Sequence, residues 1–124
     1  MIDHFGIKVK DFTKSKDFYQ KVLQPLGYQL AADFPQSASF VEPNDCDPMG
    51  DFWLNQGEAE PQHIAFHADT HAQVDAFYQA GLAAGAKSNG DPGLRENYHP
   101  NYYADYLIDP DGNNIEAVCH KEEH

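Results

Sequence analysis

Polar and apolar positions along this chain follow one pattern, and the pattern occurs twice. Residues 2–9 alternate, with Phe5, Ile7 and Val9 on one side and His4, Gly6 and Lys8 on the other. A period of two predicts a half-buried strand. Asp11 then stands where a helix N-cap belongs, and Phe12, Phe18, Tyr19, Val22 and Leu23 supply helical spacings over about residues 12–24. Pro25 and Gly27 stop that helix. Short strands are predicted over residues 28–34, 38–42 and 51–56, and the turn-forming residues of 43–50 separate the last two.

The second half begins the same way. Residues 63–68 read as a strand with Ile64 and Phe66 on its apolar side. Thr70 and Gln73 have the spacing of a capping box. A helix over about 71–84 follows, with Val74, Phe77, Tyr78 and Leu82 as its apolar stripe and Gly85 at the place of a left-handed C-cap. Residues 88–101, rich in Gly, Pro and Asn, read as a long loop of the kind that often carries function. Strands over 102–108 and 114–119 flank the hairpin signal Asp109-Pro110-Asp111-Gly112-Asn113.

His4 and His63 lie 59 positions apart, and so do Phe18-Tyr19-Gln20 and Phe77-Tyr78-Gln79. A shared offset over two separated landmarks points to a tandem duplication. The expected architecture is α+β, a βαβββ plan used twice in one domain over 1–124, with modules of about 1–58 and 59–120. Each helix covers one face of its strands. The opposite faces would curve around a shared cleft.

Strand parity then selects chemistry. With Phe5, Ile7 and Val9 facing the helix, His4 faces the cleft. With Ile64, Phe66 and Ala68 facing it, His63 and His67 face the cleft. In the last strand Ile115, Ala117 and Cys119 form the apolar set, which leaves Asn114, Glu116 and Val118 on the cleft side. His4, His63 and Glu116 are therefore candidate ligands. Two imidazoles and a carboxylate with open positions match non-haem Fe(II) sites and also suit Zn, Mn, Co or Ni. By spacing alone, each remains either a ligand or a hydrogen-bonding surface group.

Composition narrows the partners. The 124 residues suffice for one core, and 41% hydrophobic content excludes a disordered chain. A formal net charge of −12 argues against nucleic acid and against anionic membrane, both of which select for Lys and Arg. Cys46 and Cys119 form no CxxC pair and no disulfide framework. No secretory signal and no run of roughly 18 apolar residues is present, so a cytoplasmic location is expected.

With these motifs in view, the chain resembles the glyoxalase / bleomycin-resistance / extradiol dioxygenase superfamily, the vicinal oxygen chelate proteins. The carrying residues are Asp3-His4-Phe5-Gly6-Ile7-Lys8-Val9, Ser15 with Phe18-Tyr19, His63-Ile64-Ala65-Phe66, and Asp109 through Glu116. The resemblance implies the paired βαβββ fold, a homodimer, and a divalent metal held by His4, His63 and Glu116. It also implies lyase or isomerase chemistry like that of lactoylglutathione lyase, on a small substrate with vicinal oxygens. The metal would polarise a carbonyl or stabilise an enediolate. One departure bears on this. Glyoxalase I enzymes carry a fourth ligand, a glutamate, on the fourth strand. Trp53 occupies that position here, and indole cannot ligate a metal. Asp51 lies two residues away on the same face and would serve only with a shifted register. Two rivals follow: a metal-free drug-binding protein, and an Fe(II) extradiol dioxygenase.

Supporting residues complete the expected site. Tyr98, His99, Tyr102 and Tyr103 cluster at the end of the predicted loop. His99 and Tyr102 are candidates for acid–base work beside Glu116. Tyr98, Tyr103, Trp53 and His67 are candidate substrate contacts, and Arg95 is a candidate for a substrate carboxylate. His71, His120 and His124 are expected to have no role, and Cys119 to be core.

Overall fold

Alternating side chains in each half are resolved by packing a helix on one face of a four-stranded sheet. The computed structural model describes residues 2–45 and 47–123; Met1, Cys46 and His124 lie outside them. The first half contains β1 (Phe5–Val9), α1 (Phe12–Leu23), β2 (Gln29–Phe34), β3 (Ser37–Val41) and β4 (Phe52–Gln56). The second contains β5 (His63–His67), α2 (His71–Ala83), β6 (Lys87–Leu94), β7 (Tyr103–Ile108) and β8 (Asn114–Cys119). The fold class is α+β, as the pattern predicts.

The local signals act as expected. Asp11 caps α1 by accepting from the Lys14 N–H at 3.1 Å. Thr70 and Gln73 form a complete capping box at α2. Gly85 follows α2 at φ 97°, a left-handed conformation that a side chain disfavours.

The sheets have the orders β1-β4-β3-β2 and β5-β8-β7-β6. In each, the first strand runs parallel to the last, and the other pairs are antiparallel. The registers pair Gly6 with Trp53 in the first sheet and Ala65 with Glu116 in the second. Gly6 and Ala65 are themselves 59 positions apart. Trp53 and Glu116 thus occupy equivalent stations.

One core joins the halves. Phe52 of β4 and Phe66 of β5 meet edge to face at 5.3 Å, and Phe66 reaches Phe77 of α2 at 6.3 Å. Fully burying each such ring stabilises the fold by about 1.5–3 kcal/mol. A polar contact spans the halves as well. The Tyr19 hydroxyl of α1 donates to Asp109 Oδ2 in the β7–β8 turn. The other oxygen of Asp109 accepts the N–H groups of Asp111 at 2.9 Å and Asn113 at 2.8 Å. Lys10 N–H donates to Asp111 Oδ1 at 3.1 Å.

One expectation is corrected. The segment read as a loop over 88–101 contains most of β6, which pairs with β7. Asn89, Gly90, Pro92 and Gly93 lower its intrinsic strand preference, but the cross-strand partner supplies what propensity lacks. Position in the sheet explains the tolerance. The strand is an edge, where the missing N–H of Pro92 breaks no interior ladder. Its register shifts around Gly90, whose φ is 156°. A Cβ there would stand 2.9 Å from the Tyr106 ring. β1 also starts one residue later than His4, so His4 precedes the ladder.

Candidate functional site

β5 and β8 run parallel with His63 across from Asn114 and Ala65 across from Glu116. This register brings the His63 ring over the end of β8. His63 Nδ1 lies 3.0 Å from the carbonyl oxygen of Asn114. A carbonyl only accepts, so Nδ1 carries the hydrogen. In the neutral ring Nε2 then presents its lone pair, and Nε2 stands 3.1 Å from Glu116 Oε1. An imidazole lone pair and a carboxylate oxygen repel at that distance unless a proton or a cation lies between them. A ring nitrogen fixed by a backbone carbonyl on its far side is also the usual arrangement of a ligating histidine.

Glu116 is nearly enclosed, with 2% of its surface exposed. A buried carboxylate needs partners for both oxygens. Its second oxygen accepts from the Tyr102 hydroxyl. Burial, and then Glu116 itself, pushes the Tyr102 phenol well above its ordinary value, so it remains a donor at neutral pH. Burial and Glu116 also raise the Tyr106 phenol, which lies beside His63 with ring centres 6.5 Å apart.

The segment between β6 and β7 closes one side of this group. Its backbone is pinned where Arg95 N–H donates to the Tyr102 carbonyl at 2.7 Å. The Tyr98 and Tyr102 rings lie 4.9 Å apart, and His99 meets Tyr102 at 5.4 Å. His99 Nε2 is 2.9 Å from His120 Nδ1, and the His120 ring is 5.3 Å from Tyr102. Arg95 is used locally: its guanidinium sits 5.4 Å over the Tyr106 ring and donates to the Asp91 carbonyl at 2.7 Å.

The structure therefore brings together His63, Glu116, Tyr102, Tyr98 and His99. His120 joins them, a residue that sequence reasoning set aside. A signal for it existed, because 116, 118 and 120 share a strand face, but the charged tail around it obscured the parity. Other candidates stand apart. His4 is exposed, its Nδ1 2.7 Å from Asp3 Oδ1. Among the described residues, His4, His63 and Glu116 do not form a group of three with ligand atoms within 4.8 Å of one another; His71–Cys119–Glu123 and Glu42–Asp45–Asp51 do. His67 pairs with Asp69 at 3.2 Å. Trp53 is half-buried on β4 beside Gly6. Tyr103 lies on the opposite, helix-covered face, where its ring stacks on His71 at 3.9 Å and its hydroxyl donates to Asp75 at 2.6 Å. An open groove of about 750 Å³ is lined by residues 5–8, 58–60 and 62–64, so β1 and β5 border it together.

A family model described as the Glyoxalase/Bleomycin resistance protein/Dioxygenase superfamily matches residues 1–117. The chain belongs to this superfamily. Its members generally bind a divalent metal ion and small molecules, and often form dimers. Solved structures agree on the fold. A glyoxalase/bleomycin resistance protein from Albidiferax ferrireducens T118 is 28% identical, with a TM-score of 0.79 over 96% of this chain and 98% of that one. A glyoxalase/bleomycin resistance protein/dioxygenase family enzyme from Burkholderia phytofirmans PsJN is 20% identical, with a TM-score of 0.72 over 97% and 98% of the two chains. No curated protein matches this chain. Among the described residues, no helix is long and apolar enough to cross a membrane.

Proposed function

We propose that this superfamily member is a metal-dependent lyase or isomerase acting on a small substrate with vicinal oxygens, as a cytoplasmic homodimer of single-domain chains. The observation that carries the reading is the convergence of His63 Nε2 and Glu116 Oε1 at 3.1 Å with the far side of the ring fixed by a carbonyl. That spacing suits two ligands on one divalent ion. His63, Glu116 and His4 would hold the ion, which would be Zn, Ni, Fe, Mn or Co and would supply Lewis-acid polarisation of a substrate oxygen. His4 stands away from the other two in one chain, so the reading assigns it to a second copy facing the groove.

The chain's own groups do the rest. Tyr102 holds Glu116 through its hydroxyl and limits the carboxylate's rotation. Tyr98, His99 and His120 form a wall that orients a flat or polar substrate and keeps bulk water from one side. His99 and Tyr102 are placed for proton movement beside Glu116.

The test is elemental analysis of the purified protein, of His4→Ala, of His63→Ala, and of the two variants mixed and reassembled. Wild type is expected to hold near-stoichiometric metal and each variant to lose it. The mixture should regain part of it, because one interface of a mixed dimer keeps both histidines. Wild-type protein that takes up none of Fe, Ni, Zn or Mn sinks the metalloenzyme reading. A second reading is favoured by Trp53 at the station equivalent to Glu116, where it adds an aromatic surface instead of a carboxylate. In it the chain sequesters an aromatic drug without metal. Calorimetry with aromatic ligands on the chelated protein decides between them.

A further inference from the structure

The helix-covered face of the second sheet carries a separate group of ligating side chains that the cleft does not use. Cys119 ends β8, and by parity its sulfur points toward α2, away from Glu116. His71 is the first residue of α2, and Glu123 lies in the tail that follows β8. Their ligand atoms lie within 4.8 Å of one another.

Several independent contacts preorganise the group. The His71 ring is held flat against Tyr103, with centres 3.9 Å apart and planes 4° apart, and Tyr103 is anchored on Asp75. The Lys121 N–H donates to Cys119 Sγ at 3.4 Å, which fixes the position of the sulfur. Glu123 accepts from the His71 backbone N–H, which fixes its carboxylate at the start of α2. His71 Nε2 is 3.6 Å from Glu123 Oε2. His71 Nε2 donates to the Lys121 carbonyl oxygen at 3.2 Å, a hydrogen bond that a bound ion would replace, and that oxygen lies 4.0 Å from the sulfur.

We infer that His71, Cys119 and Glu123 form a second, structural site for a borderline transition-metal ion of the Zn2+ type. A thiolate, an imidazole and a carboxylate select such ions over Ca2+ or Mg2+, which prefer oxygen alone. The two anionic ligands neutralise the ion. The site clamps residues 120–123 to α2 and thereby holds His120 against His99 at the edge of the cleft. The inference does not depend on metal in the cleft, whose ligands are nitrogen and oxygen only.

The experiment titrates the full chain, stripped of metal by chelation, with Co2+ and then Zn2+. A near-ultraviolet sulfur-to-cobalt charge-transfer band is expected at one equivalent, removed by Zn2+. It should persist in His63→Ala and in Cys46→Ser, and vanish in Cys119→Ala. His71→Ala and Glu123→Gln should each weaken Co2+ binding by at least about tenfold. Glu123 is exposed, so its variant keeps the fold and isolates the ligand role. The inference is overturned by a wild type without the band, by a band that survives Cys119→Ala, or by unchanged affinity in both His71→Ala and Glu123→Gln.

Discussion

In the first sheet Gly6 sits across from Trp53; at the equivalent station of the second sheet Ala65 sits across from Glu116. The backbones are alike and the side chains are not. His63 lies inside the ladder and faces a buried carboxylate, whereas His4 precedes its strand and faces Asp3 in solvent. The connections differ as well. Tyr102, beside β7, closes over Glu116, while the β3–β4 connection gathers Glu42, Asp45 and Asp51 near the surface. The two halves share a strand order, and the enclosed cleft-face carboxylate lies in only the second of them. What separates the halves is a carboxylate buried on the cleft face, with one oxygen held by the Tyr102 hydroxyl and the other facing His63 Nε2.

The largest effect is expected on removing that carboxylate's charge. Glu116→Gln should weaken divalent metal binding by about a hundredfold, as read by competition with a chromophoric chelator. Retention of wild-type affinity would remove the basis for treating the second half as the chemical one.

The next contrast lies under α2. Asp105 of β7 is fully buried, and its Oδ2 has no partner. The equivalent station in the first half is Ala38, also fully buried. Burial foremost, with the charges of Asp75 and Glu116, pushes the Asp105 carboxyl up to about 8, while the Ala117 N–H and Arg95 oppose the shift. Its ordinary value is 3.8, so the folded state binds the extra proton between these two values. The stability that Asp105 contributes is present below pH about 4 and is lost as pH rises through about 8. Asp105→Asn removes this dependence. Relative to wild type it should gain on the order of 4 kcal/mol between pH 5 and pH 8.5, read as the change in denaturation midpoint. A difference that does not vary with pH would show that Asp105 ionises freely.

The smallest effect sharpens the comparison from the other side. Trp53→Glu places a carboxylate in the first half where the second has Glu116. Metal affinity should rise by about tenfold, measured by the same competition, if the two faces meet around one ion. No gain would mean that the stations are equivalent in the fold but not in the site.

Much of this was legible in the residues. The alternation of Ile7 and Val9, the caps at Asp11 and Thr70, the stop at Gly85 and the 59-residue offset are local or repeated signals, and each corresponds to an element seen in the structure. The pairing of His63 with Glu116 followed from parity in two strands. The reading of 88–101 as a loop held for 95–101 and failed for 88–94, because Gly and Pro report intrinsic preference and β6 exists through its partner. Tyr103 and His120 show the same limit. One residue of register sends Tyr103 to the helix side, and only the closure of the tail brings His120 to His99.

By itself the sequence determined the periodicity, the caps and the faces on which ligand-type residues fall, since these depend on neighbours within a few positions. Only the tertiary structure decided which carboxylate would be enclosed, that His63 Nε2 would turn toward it, that Oδ2 of Asp105 would lose water without gaining a partner, and that Cys119 would meet His71. Those outcomes depend on surfaces brought together from distant segments, where burial and the exclusion of water, not local preference, set the energies.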